Sequence, residues 1–175
     1  MKKLIAFILL IAATFAAHSQ TLQQLKSKRV TLPNGWSLSP AGRSFKLGDL
    51  PLNIAVSSSK KYMAVTNNGQ SKQYIQLIDV QKEKVIDSII IRKSWLGIKF
   101  SSDEKYLYAA AGNDNMILKY TVKNNRLALT DSIILGAPWP NKIWPSGIEI
   151  DDVNHLLYVV TKEDNLFSIG IGFLF

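Results

Sequence analysis

The residues that could do chemistry are few. The 175-residue chain has 13 Asp+Glu, 2 His and no Cys. Without cysteine there is no disulfide framework, no thiolate-ligated zinc or iron–sulfur site and no thiol nucleophile. His155 stands beside Asp151 and Asp152, residue types that could make a triad or a metal site. All three fall in one polar stretch between apolar runs, where a solvated turn is expected, whereas triads and metals need groups converging from separate places. Asn113-Asp114-Asn115 has calcium-ligand types but lacks the long loop and closing Glu of such a site, and reads as a hairpin turn. Glycines stand singly, so no phosphate-cradling loop is present. Asp87 and Asp131 precede apolar runs and read as structural hydrogen-bonders. The expectation is a chain with no catalytic set, no metal site and no cofactor.

The aromatics carry more. Trp95, Trp139 and Trp144, with Asn67, Asn68, Asn113, Asp114 and Asp164, are the candidate contact residues. Indole rings beside a few polar groups suit the mouth of a binding site. The same rings equally suit the apolar packing between structural units, and both readings stand at this point.

What must position these residues is a repeat. Asn53–Asn67, Gly97–Ala111 and Gly147–Thr161 align as an apolar run, a polar turn and a second apolar run. Tyr62 and Tyr106 are 44 apart, Tyr108 and Tyr158 are 50 apart, and Asp87-Ser88-Ile89-Ile90 returns 44 residues later as Asp131-Ser132-Ile133-Ile134. The first unit predicts strands at 54–57, 62–67, 75–80 and 85–91; the second predicts them at 98–101, 106–111, 117–122 and 127–135. β-Branched residues dominate them, and Asn and Gly mark the turns between. Four short strands every ~40–45 residues is the period of a β-propeller blade. A single β-sandwich also uses short strands but does not demand near-identical units.

The expected fold is therefore all-β, a propeller fragment of about two and a half four-stranded blades near 48–92, 93–136 and 137–175. A lead-in segment at 20–47 precedes it. In such a meander, loops from strands one to two and three to four emerge on one face, which gathers Lys60, Lys61, Lys82, Lys84, Lys105, Lys123 and Arg126 and is expected to be simply solvated. The remaining loops bring the candidate contact residues to the opposite face. Propellers close with about four to eight blades, so the chain is expected to be the amino-terminal part of a longer protein, its partners being further blades and a carboxy-terminal domain.

The first residues read as an address. Lys2 and Lys3 precede an apolar run from Leu4, and Ala17-x-Ser19 fits signal peptidase, giving a signal peptide at 1–19 cleaved before Gln20. The run to Ala17 is 14 residues, short of the roughly 20 that span a bilayer. Export to the periplasm or the exterior is expected, with membrane contact only during passage. The formal charge of +8 is spread along the chain rather than blocked, which points away from nucleic acid.

Tyr62-Met63-Ala64-Val65-Thr66-Asn67, Leu157-Tyr158-Val159-Val160-Thr161 and Leu77-Ile78-Asp79 resemble the Tyr-Val-Thr-Asn propeller repeat. The Ser-Pro-Asp-Gly that often precedes the second strand in that family is replaced here by Ser57-Ser58-Ser59-Lys60 and Ser101-Ser102-Asp103-Glu104. More narrowly, residues 32–42 and 48–53 resemble the start of secreted proteins that join such a propeller to an alkaline-phosphatase-like phosphoesterase domain. The resemblance implies a secreted binding or scaffold module beside that enzyme, engaging a small-molecule or protein ligand. The alternatives are a lactonase-like propeller enzyme and a surface interaction protein without catalysis.

Overall fold

The computed structural model describes residues 26–27, 29–39 and 43–162, together with the backbone of residues 167–172. Two compact units divide the chain, 1–45 and 46–175. The export segment at 1–19 and the candidate Asp164 lie outside the described residues.

In the first unit, β1 (Val30–Thr31) and β2 (Ser37–Leu38) make a short antiparallel hairpin. Its turn is the Pro33-Asn34-Gly35 sequence. Gly35 takes a φ of 81° that a side chain would resist, and Asn34 Oδ1 accepts the Trp36 N–H at 3.1 Å.

The second unit is built from antiparallel sheets in which strand order follows chain order. The first sheet comprises β3 (Pro51–Val56), β4 (Tyr62–Asn67), β5 (Tyr74–Asp79) and β6 (Lys84–Ile90). The second comprises β7 (Ile98–Phe100), β8 (Tyr106–Ala110), β9 (Met116–Lys123) and β10 (Arg126–Ile134). A third holds β11 (Pro145–Asp151), β12 (Leu156–Thr161) and β13 (Phe167–Gly172). First strands lie beside first strands, β3 by β7 and β7 by β11, while the last strands β6 and β10 adjoin. Sheets stacked in this radial order are the blades of a propeller, as the repeat predicts.

The repeat is conformational as well as compositional. Lys60 and Glu104 occupy the same place in the first turn of their blades and are both left-handed, with φ of 61° and 59°; in the third blade the left-handed residue is one position later, His155 at 55°. The outer strands also bulge alike, where Ile86 and Thr130 are skipped in the pairing with β5 and β9. Strand alternation divides the core in two. Leu107 and Ala109 of β8 pack with Ala64, Ile75 and Leu77 of the first blade, while Tyr108 and Ala110 pack with Leu157 and Val159 of the third. Burying each of the larger aliphatics contributes about 1.5–3 kcal/mol. Gly97 permits the close approach of the innermost strands: a Cβ there would sit 2.7 Å from Ser146 O and from Ile148 Cγ1.

One expectation is corrected. The lysine-rich face is more than solvated, because its turns clasp one blade to the next. Glu104 accepts from the Ser59 N–H and, at 2.9 Å, from Ser59 Oγ; Asp152 accepts the Ser102 N–H at 2.8 Å. The sequence reading took Asp152 for a solvated turn residue; it is instead a cross-blade acceptor, and its turn is held locally by Asp151. That carboxylate accepts from the N–H groups of Val153 and Asn154 and from Asn154 Nδ2, bonds that hold its pKa below the ordinary aspartate value, the Asn154 side chain foremost.

Candidate functional site

The rim opposite the clasps is organised by one buried residue. Asn115 is fully buried at the end of the 3₁₀ turn η1 (Gly112–Asp114), in the left-handed conformation at φ 51° that asparagine tolerates. Its Nδ2 donates to Ala137 O at 2.7 Å and to Asn141 O at 2.8 Å. Its Oδ1 accepts the N–H of Trp144 at 3.0 Å and of Ile143 at 3.3 Å. One side chain therefore satisfies both ends of the loop that carries Trp139 and Trp144. Asn113 adds a further tie, its carbonyl accepting the Trp139 N–H at 3.3 Å.

The tryptophans form a ladder with lysines between them. Lys162 Nζ lies 4.7 Å from the Trp144 ring centre and 5.9 Å from that of Trp95. Trp144 stacks with Trp139 at 6.5 Å between centres and 17° between planes, and Lys142 Nζ lies 5.5 Å over Trp139. Such cation–ring contacts are worth about 0.5–1 kcal/mol each at exposed sites. The three indoles differ in burial. Trp95 packs against the core between the second and third blades, Trp144 is half-buried, and Trp139 is 58% exposed. Both sequence readings of the tryptophans thus have an occupant: Trp95 serves blade packing and Trp139 faces outward.

Beside Trp139 is a groove of about 490 Å³ lined by Arg92, Lys93, Asn113, Asp114, Pro138 and Trp139. Asp114 lies 3.6 Å from Arg92 Nε. Of the remaining candidates, Asn67 is fully buried, its Nδ2 donating to Gln76 Oε1 at 3.0 Å, so it belongs to the interior of the first blade. Asn68 sits on the β4–β5 loop with its N–H on Leu50 O at 3.0 Å. Neither joins the tryptophan ladder. Asn115, Lys142, Lys162, Arg92 and Lys93 were missed by sequence reasoning. Only Lys162 left a signal, since it stands at the repeat position of Asn68.

Two other concavities lie away from the tryptophans. At the innermost strands, a largely apolar groove of about 460 Å³ is lined by Asn53, Gly97 and Gly147, which share one repeat position, and by Leu96, Ile98 and Ile148 among others. Asn53 Nδ2 is already used there on Leu96 O. On the clasp face, His155, Asp152, Tyr106 and Tyr108 line a groove of about 270 Å³. Among the described residues, no three His, Cys, Asp or Glu side chains gather as metal ligands. No helix among them is long and apolar enough to cross a membrane.

Neither a protein-family model nor a curated protein matches the chain. Solved structures do. The hydrazine synthase of Kuenenia stuttgartiensis is 20% identical at a TM-score of 0.55, over 71% of this chain and 33% of that one. A complex of KlAtg21 with the coiled-coil of AgAtg16 gives 16% and 0.51, over 64% and 37%. A protein from Lactobacillus plantarum gives 12% and 0.50, over 68% and 40%. The matched part is thus only about a third to two-fifths of those chains. At such identities the likeness concerns the fold alone, and the fold it shares with the three radially stacked sheets is that of the β-propeller.

Proposed function

We propose that the chain is the propeller part of a longer exported protein and that it works as a binding or scaffold module through its tryptophan rim. Catalysis in that protein belongs to a phosphoesterase domain joined to the propeller, as the resemblance of residues 32–42 and 48–53 implies. The observation that carries the reading is Trp139. Its indole is 58% exposed, yet the loop beneath it is fixed by the four hydrogen bonds of Asn115. A large ring held rigidly in solvent has lost its conformational freedom before any partner arrives, which lowers the ordering cost of binding. Blade packing does not require that ring, whereas a ligand or a neighbouring domain would use it.

The test uses the protein expressed from its complete reading frame. Trp139→Ala and Trp144→Ala should impair engagement of ligand or domain while the propeller stays folded, and Lys82→Ala and Lys123→Ala on the other face should change neither. Unfolding by Trp139→Ala would make that ring a packing residue and end the proposal. Export is checked separately: amino-terminal sequencing of the secreted product should begin at Gln20, and retention of Leu4 to Ala17 would contradict it.

A further inference from the structure

We infer that the groove beside Trp139 binds an acidic saccharide, a glycan bearing hexuronate carboxylates; the inference rests on reading the rim as a contact surface and names what it contacts. Three kinds of group converge there, and one ligand class answers all three. The first is a flat apolar platform. Trp139 is exposed, and the Trp144 ring stacked at 6.5 Å fixes its plane, so it offers an indole face to the C–H face of a pyranose. The second is a pair of hydroxyl readers. Asn113 and Asp114 line the same groove, and a carboxamide and a carboxylate between them accept from and donate to vicinal hydroxyls. The third is positive charge.

Arg92, Lys93 and Lys142 surround the platform, and among the described residues Asp114 is the one carboxylate lining the groove. That carboxylate is 3.6 Å from Arg92, whose side chain remains 85% exposed. Among the described residues no carboxylate pairs with Lys93 or Lys142. The ligand that complements the groove therefore supplies negative charge. Its charge must also be sparse, because Asp114 inside the groove opposes a phosphate-dense ligand while accepting hydroxyl protons readily. A neutral sugar leaves the cations unanswered, and a nucleotide leaves Asp114 opposed. A uronate satisfies platform, hydroxyl readers and cations together, and a volume of about 490 Å³ falls within the ordinary range of small-ligand sites.

The experiment is calorimetric titration of the protein from its complete reading frame with trigalacturonate and a hyaluronan tetrasaccharide, alongside methyl-esterified trigalacturonate and AMP. At least one uronate should bind, weakening as salt rises. Trp139→Ala and, separately, the double variant Arg92→Gln/Lys93→Gln should each weaken it by about tenfold, the latter also flattening the salt dependence. The esterified sugar should bind about tenfold more weakly than the acid. Binding of neither uronate, or equal binding of the ester, overturns the inference. So does AMP binding in the uronates' place, or oxidative footprinting that finds Trp139 shielded in the sugar-free protein by its own further domain. In those last two cases the rim remains a contact surface and only the ligand class fails. If Trp139→Ala alters no engagement of any kind, the reading of the rim fails as well.

Discussion

Asn115→Ala is the substitution that most directly tests how the rim is built. It deletes two donated bonds, to Ala137 O at 2.7 Å and Asn141 O at 2.8 Å, and an acceptor for the Trp144 N–H at 3.0 Å and the Ile143 N–H at 3.3 Å. A net hydrogen bond is worth about 1 kcal/mol, and a buried group left unpaired costs about 1–3 kcal/mol. Ala137 and Asn141 are exposed, so their carbonyls recover water and are discounted. The N–H groups of Ile143 and Trp144 lie in half-buried residues and recover less. The φ of 51° adds a smaller cost, since alanine tolerates the left-handed region less well than asparagine. The sum is about 3 kcal/mol, or a melting temperature lower by roughly 10 °C for a unit of this size.

Two companion variants separate the causes. Asn115→Gly keeps the backbone conformation and loses the bonds, so it should retain most of the destabilisation. Asn115→Asp keeps the acceptor but turns a carboxylate toward two carbonyl oxygens, which raises its pKa. That variant should be weakest at neutral pH and recover as pH falls and the carboxyl gains a proton to donate. Urea unfolding followed by fluorescence gives the free energies, and near-ultraviolet circular dichroism reports the stacked tryptophans. If Asn115→Ala unfolds within 0.5 kcal/mol of the parent and keeps the tryptophan bands, the loop is held by something else and the argument for a pre-ordered rim is wrong.

Gly97→Ala should cost about 1–3 kcal/mol by overpacking, because its Cβ meets Ser146 backbone oxygen at 2.7 Å; an unchanged urea midpoint would mean that the inner strands are not so closely held. Acid should destabilise the propeller in a defined window. The carboxyls of Asp103 and Glu149 sit below their ordinary pKa values, the first through the Ser101 hydroxyl and the second through Lys99. Groups of that kind stabilise the fold above their unfolded pKa and lose the contribution as pH falls through the depressed one, so melting temperature should hold from neutral to about pH 5 and drop below about pH 4. A melting temperature that rises on acidification would reverse that sign.

The sheets were legible because their signals are local and repeated. The continuous apolar runs that open Tyr62–Asn67 and fill Tyr106–Ala110 place β4 and β8, and the 44-residue return makes a chance match untenable. The second strands are right to within a residue, while β3 starts earlier because Pro51 opens it before a bulge. The rim was legible only as a topological consequence, namely which loops share a face. Asn115 escaped because an asparagine after Gly-Asn-Asp already has a sufficient local explanation as a turn. Its real work, holding backbone 22 to 29 residues away, has no mark in the sequence. Asn67 misled for the converse reason: a terminal strand asparagine looks exposed until Gln76 is known to cover it. The clasps of Glu104 and Asp152 were hidden likewise, since a charged turn reads as solvated whether or not another blade faces it.

Comparison of the blades with one another separates what the fold requires from what it merely carries. Leu50-Pro51 and Trp144-Pro145 begin the innermost strands of the first and third blades, and Leu50 and Trp144 share a left-handed φ of 48° and 50°. The carbonyl of each accepts an equivalent N–H, from Asn68 at 3.0 Å and from Lys162 at 3.1 Å. The backbone is therefore one device used twice, and leucine suffices for it in the first blade. Nothing in blade geometry asks for tryptophan and lysine in the third. Trp144 even keeps its indole N–H buried without a hydrogen-bond partner among the described residues, a cost a pure packing residue would not carry. Trp144→Leu should then be nearly neutral for stability, within about 1 kcal/mol, because it removes that unpaired donor while restoring the side chain the first blade uses. It should nonetheless weaken engagement at the rim, since Trp139 loses its stacking partner and Lys162 the nearer of its two rings. Loss of several kcal/mol with binding intact would show the opposite, that the third blade needs the indole to fold.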